Sequence, residues 1–288
     1  MTRRPPLRRL IAAAAWSTLS IVGWSSMTGI AAADPTDPSV TPATEDPVPS
    51  VAGMVIYKSA YPAAETVSRV QKELNSIGKV ATTVYFARTA QWINKELRPT
   101  TVVIGGSPNA GAPIMAANQR AAIDLPQKYL VWQAGGGTVF VGYNSADYVA
   151  GRAGIDPSSA AVDGLRTGSA SVAAVASGST APVAEGGRSA SSGGYLVETT
   201  SDTTVSDSIV RYQGAFAKNN QPTVATVDDA AAAARTGTPI PPTELTFTDD
   251  ATVSVALVGA QQTMGIDLPL RFAAWQDDAG AVHVAIPI

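Results

Sequence analysis

The sequence predicts an α+β protein of two tandem two-layer α/β domains, each a mixed sheet with helices packed on one face. Three observations carry this. The first is an internal repeat: Pro99-Thr100, Ile123-Asp124-Leu125-Pro126 and Trp132-Gln133 recur as Pro242-Thr243, Ile266-Asp267-Leu268-Pro269 and Trp275-Gln276, each at an offset of 143 residues. The second is an apolar pattern that switches between strand and helix periods. The third is composition: 288 residues, 45% hydrophobic and 15% charged, supply enough apolar material for two cores of ordinary size.

Taken in order, the first copy predicts a strand at Met54–Ser59, then a helix over 63–77, where Val67, Val70, Leu74 and Ile77 form one apolar stripe. A strand at Val80–Phe86 and a helix to about Leu97 follow. Next come a strand at Thr101–Ile104, a helix near Asn109–Ala122 and a hairpin of Lys128–Gln133 with Thr138–Asn144. The second copy repeats this order from Tyr195 to Ile286. Val139, Val141 and Tyr143 match Val282, Val284 and Ile286, so this alternating set is expected to face a core in both domains. The hairpin turns share only their last glycine, Gly137 and Gly280, where positive φ is expected.

Around the repeats, residues 1–33 read as a secretory signal: Arg3, Arg4, Arg8 and Arg9, then an uncharged run to Ala33 that ends in small residues. That implies an extracytoplasmic protein, secreted or associated with the cell envelope, with membrane contact only if the signal is kept as an anchor. Residues 34–52 form a Pro/Thr-rich tether, 53–176 the first domain, 177–194 a Ser/Gly/Ala-rich linker and 195–288 the second domain. The chain has no cysteine, which removes disulfides, thiol chemistry and thiolate metal sites. Without residues 1–33 it carries 16 basic and 23 acidic side chains, a net charge of −7. That sign argues against nucleic acid as a partner.

At Pro99-Thr100, Gly106-Ser107-Pro108, Gly111, Pro113-Ile114-Met115, Asp124-Leu125-Pro126 and Trp132 the chain resembles the domain-of-unknown-function 302 family. The second copy keeps Pro242-Thr243, Asp267-Leu268-Pro269 and Trp275 but has Thr248-Asp249-Asp250 at the glycine turn, a degenerate copy. The resemblance implies a two-layer α+β fold and no particular activity. Members often carry an Asp-His-Ala step at a strand-to-helix junction; here the junctions read Tyr85-Phe86-Ala87 and Asp228-Asp229-Ala230.

The candidate ligand-binding residues are Asp124, Asp267, Trp132, Trp275, Gly106, Pro108 and Asn109. Asp124 and Asp267 are the carboxylates present in both copies, although an aspartate before Leu-Pro commonly caps its own turn. Trp132 and Trp275 suit either a pocket floor or a core. Gly106, Pro108 and Asn109 lie in a turn whose amides could hold an anion, but it lacks the lysine of a phosphate loop. His283 is the single histidine, and it falls out of phase with the alternating core set. The acidic pairs Asp228-Asp229, Asp249-Asp250 and Asp277-Asp278 lack calcium-loop spacing and read as solvated surface. No cofactor, metal or catalytic set is expected. The function this predicts is a non-enzymatic module, its two domains paired within the chain, that binds a small molecule or an envelope component. The alternative is a hydrolase with Asp124 as base.

Overall fold

In the computed structural model, which describes residues 46–187 and 195–287, the alternating patterns become two sheets. The first copy runs β1 (Met54–Lys58), α1 (Ala63–Ile77), β2 (Lys79–Tyr85), α2 (Phe86–Trp92), β3 (Thr100–Gly106) and α3 (Pro108–Ala117), then a 3-10 turn (Gln119–Asp124), β4 (Lys128–Gln133) and β5 (Val139–Asn144). Two further helices, α4 (Ala146–Ala153) and α5 (Ala160–Ser177), follow. A two-residue strand, β6 (Ala184–Glu185), then pairs with β1 inside the stretch expected to be linker. The second copy runs β7 (Leu196–Ser201), α6 (Val205–Ala217), β8 (Thr223–Asp228), α7 (Asp229–Ala234), β9 (Thr243–Thr248) and α8 (Ala251–Ala260), then a 3-10 turn (Gln262–Ile266), β10 (Leu270–Gln276) and β11 (Val282–Pro287). The signal and most of the tether lie outside the described residues. Asp46, within the tether, accepts hydrogen bonds from the backbone N–H of Gly136 (2.6 Å) and Thr138 (2.9 Å) and so docks onto the β4–β5 turn.

The sheets are ordered β2-β3-β4-β5-β1-β6 and β7-β11-β10-β9-β8. Every pairing is antiparallel, where a mixed sheet was expected. The copies agree in detail. A register shift between Val80 and Thr82 recurs between Thr223 and Ala225, and the peptide bonds before Pro126 and Pro269 are both cis. Gly137 and Gly280 take φ of 98° and 87°, the positive values their turns require. Ahead of β2 the offset is 142, because the Ser59–Thr66 hydroxyl pair corresponds to Ser201–Ser208 and Gln71 to Gln213.

Alternation along each strand sends successive side chains to opposite faces, and here both faces are buried. Val103, Tyr129, Val131, Val139, Val141 and Tyr143 pack beneath α1 and α5. On the opposite face Val102, Ile104, Leu130, Trp132 and Phe140 meet Leu245, Phe247, Ala273, Trp275 and Ala285 of the second sheet in one shared core. Among the described residues the second copy has no counterpart of α5, and its outer face is covered there by α6: Val282 is buried, Val284 is half-buried and Ile286 remains 38% exposed. The expected core role therefore fails for Ile286.

The domains are also exchanged at their edges. Each 3-10 turn packs on the other copy's sheet, Gln119 Nε2 donating to Thr243 Oγ1 (2.8 Å) and Gln262 Nε2 to Thr100 Oγ1 (2.7 Å). These bonds are one interaction seen twice across a pseudo-twofold axis, since both pairs are related by 143 residues. Replacing Phe140 with alanine, which empties the shared core, is expected to cost about 3–5 kcal/mol. In a urea titration the probes for both copies should shift together, because the lost contact belongs to both sheets.

Candidate functional site

The seams between the copies hold two cavities. The first, ≈340 Å³, lies between the β2 edge, glycine turn and α5 of the first copy and the β8–α7 junction of the second. The second, ≈420 Å³, lies between the β2–α2 junction of the first copy and the β8 edge and α8 of the second. Each of the eleven residues lining the second has its counterpart, at 143, in the lining of the first: Tyr85 matches Asp228, Arg88 Ala231, Trp92 Arg235, Pro222 Lys79 and Asp249 Gly106. The cavities are one site generated twice and then diverged. Both strand-to-helix junctions singled out in the sequence lie here.

The local sequence explains the walls of the first. At Gly105 a Cβ would come within 2.6 Å of the Lys79 carbonyl oxygen, and at Gly78 one would strike the Gly106 carbonyl at 2.1 Å, so only glycine lets β2 and β3 approach this closely. Pro108 starts α3 at a position where its missing N–H costs nothing. Helix α5 closes the cavity with Leu165, Gly168 and Ser169. Inside, Gln127 Nε2 donates to the Asn144 carbonyl (2.8 Å) and Ser169 Oγ (3.1 Å), and Tyr129 bonds to Ser169, its phenol pushed up by burial. Asp229, the first residue of α7, is 4% exposed, and its carboxyl accepts no hydrogen bond from any described residue. Burial, with the charge of Asp228 added, holds its carboxyl well above the usual carboxylate range. This corrects the solvated-surface reading for that residue: Asp229 occupies the place that Phe86, fully buried, holds in the first copy.

Asp124 lies outside this lining, in a second buried cluster. Its Oδ2 accepts from Arg152 Nε (2.9 Å) and its Oδ1 from Arg271 Nη2 (3.0 Å) of the other copy. Arg152 also donates to the Tyr148 hydroxyl (2.7 Å) and lies over the Tyr195 ring, 4.1 Å from its centre. Lys128, the counterpart of Arg271, is 2% exposed, and desolvation lowers its ammonium pKa well below the usual value. With both oxygens taken by guanidinium groups, one from each copy, Asp124 ties the domains together instead of capping its own turn. Asp267 does not mirror it: its side chain is 63% exposed, with Oδ1 3.9 Å from Arg271.

The remaining candidates divide. Gly106 and Pro108 line the first cavity, and Asn109 lies on the same turn outside the lining. Trp132 stacks on Phe140 (5.4 Å between ring centres) and Trp275 on His283 (5.5 Å), both tryptophans within the shared core. His283 is held by Asp277 Oδ2 (3.0 Å) and Glu198 Oε1 (3.2 Å). Asp229, Lys128, Arg152 and Arg271 were missed. The signal for three of them was present in the aligned copies, which set Asp229 against Phe86 and, on core strands, Lys128 against Arg271.

A family model described as domain of unknown function DUF302 matches residues 55–167 and 197–287. Over 128 residues the chain is 32% identical to two proteins called fluoride-specific ion channel FluC 1, from Brucella suis biovar 1 and Brucella abortus biovar 1, covering 44% of this chain and 50% and 47% of theirs. The chain thus spans about half the length of the curated relatives it matches. Among the described residues no helix is long and apolar enough to cross a membrane. A crystal structure of an uncharacterized conserved DUF302 protein from Bacillus stearothermophilus aligns with a TM-score of 0.38 at 18% identity, covering 43% of this chain and 97% of that one.

Two substitutions test the geometry. Asp124→Ala strands two buried guanidinium groups and is expected to cost about 3–5 kcal/mol in chemical denaturation. Asp229→Asn is expected to act in the opposite direction. A carboxyl whose folded pKa is raised penalises folding increasingly as pH climbs from the unfolded value through the folded one. The substitution should therefore raise the melting temperature at pH 7, by an amount equivalent to about 1–3 kcal/mol, and change it little near pH 3.

Proposed function

Since the chain belongs to the DUF302 family, whose description names no activity, we propose from the geometry that it is a non-enzymatic small-ligand binding module whose site is the first interdomain cavity. The carrying observation is the cavity itself: ≈340 Å³, mostly apolar walls, and a few convergent polar groups at a seam between domains, the usual make-up and place of a small-molecule site. Duplication within one chain supports the reading, because each wall comes from a different copy. The pairing of the copies is on this view what builds the site. The arginine-rich start, the uncharged run and the small residues at Ala31-Ala32-Ala33 support a site of action outside the cytoplasm. The channel activity in the names of the Brucella proteins is theirs, and it has no part in this proposal.

Native mass spectrometry of the mature protein from its own source is expected to show a retained small molecule. Gly168→Phe supplies the control. Gly168 lines the cavity from α5, and a Cβ there would meet nothing within 4 Å, so the larger side chain fills open space. The expected outcome is loss of the bound mass with a melting temperature unchanged or higher, since a helical glycine gains about 0.5–1 kcal/mol on replacement. A molecule retained by Gly168→Phe would mean that this cavity is not its site.

A further inference from the structure

Four polar side chains are buried in the lining of the first cavity, and the fold satisfies three of them. Gln127 spends both amide hydrogens, on Asn144 O and Ser169 Oγ, and its Oε1 accepts from the Lys128 N–H at 3.3 Å. Tyr129 and Ser169 bond to each other. Asp229 alone is unpartnered: no described residue donates to it or forms an ion pair with it, and its Oδ2 is sealed from solvent. It is not needed to cap α7, because the Oδ1 of Asp228 takes the Ala231 N–H at 2.8 Å. An apolar side chain suffices at this position, as Phe86 does in the first copy. A buried carboxyl without a donor is a cost that local structure does not explain.

We propose that the cavity binds amines: a ligand whose protonated nitrogen donates to Asp229 and whose compact apolar body packs against Met115, Leu165 and Val227. This rests on the reading of the cavity as a ligand site. An ammonium supplies what the carboxyl lacks, several N–H donors and an opposite charge, in a setting where a charge-assisted hydrogen bond is strong. The same burial that pushes the carboxyl up makes a cationic partner the condition for its ionising there. An anionic ligand would bring its charge beside Asp228 and Asp229. The cations of the lining, Lys79 and Arg235, are both exposed and can meet an anion only at the mouth.

Three probes of one shape separate the possibilities by calorimetry on the folded chain at pH 7: phenethylamine, 2-phenylethanol and 3-phenylpropanoate. The amine is expected to bind at least about tenfold more tightly than the alcohol. Asp229→Asn should bring the amine to within about twofold of the alcohol and leave alcohol binding intact. Alcohol or carboxylate binding equal to that of the amine in the unaltered protein would overturn the amine assignment, as would a preference that survives Asp229→Asn; either result leaves the cavity reading standing. If none of the three binds, the cavity reading falls and the assignment with it.

Discussion

The interaction on which everything else depends is the contact between the two sheet faces. A β-sheet covered by helices on one side still presents its other pleated face, and here that face carries Val102, Ile104, Leu130, Trp132 and Phe140 in the first copy. Left in water it would be an apolar patch of the kind that drives association. The second copy offers Leu245, Phe247, Ala273 and Trp275 to meet it, and the fragments then share one core. Duplication supplies both halves of this sandwich in one chain, with no concentration-dependent assembly step. All described residues accordingly fall in a single compact unit.

Once the faces are paired about a pseudo-twofold axis, the rest of the interface must occur in twos. The glutamine–threonine bonds at Gln119 and Gln262 and the two cavities are such pairs. Their differences trace to named residues. Helix α5 gives the first cavity a wall of Leu165, Gly168 and Ser169, which the described lining of the second cavity lacks. The turn at Gly106 leaves room beside it, whereas Asp249 fills the equivalent place and bonds to Ser254. At the second cavity Trp92 is 75% exposed where the first has Arg235. The first cavity carries Asp228 and Asp229 in its wall; the second carries Tyr85 and Trp92.

Much of this fold was legible in the sequence, and its limits have physical causes. Helix α1 falls on 63–77 as its apolar stripe predicts, and the hairpin falls on its alternating residues. The long helix expected near 109–122 breaks at Asn118, whose side chain bonds Arg120 N and the Ala153 carbonyl and starts the 3-10 turn. Alternation also reveals only that one phase of a strand is apolar. It does not reveal that the other phase, which includes Phe140, meets a second sheet. Gly106 and Pro108 could be placed at a turn because turn chemistry is local, and that turn borders the first cavity. The role of Asp124 depended on Arg271, 147 residues away, and no local pattern carries that distance.

The cluster around Asp124 shows what fusion permits that a symmetric dimer does not. Lys128 and Arg271 occupy equivalent places, so an exact twofold would bury the same cation twice and require two carboxylates to match. Here the copies share the task unequally. Asp124 alone stays inside and accepts from Arg152 and Arg271, while Asp267 has turned largely to solvent. The second cationic position holds a lysine, which can shed its charge on burial, where an arginine cannot. A single buried carboxylate then suffices for the pair of cationic positions. The same freedom from symmetry allows Asp229 to stand where Phe86 stands in the other copy, so one cavity can become chemically distinct while its twin keeps the core residue.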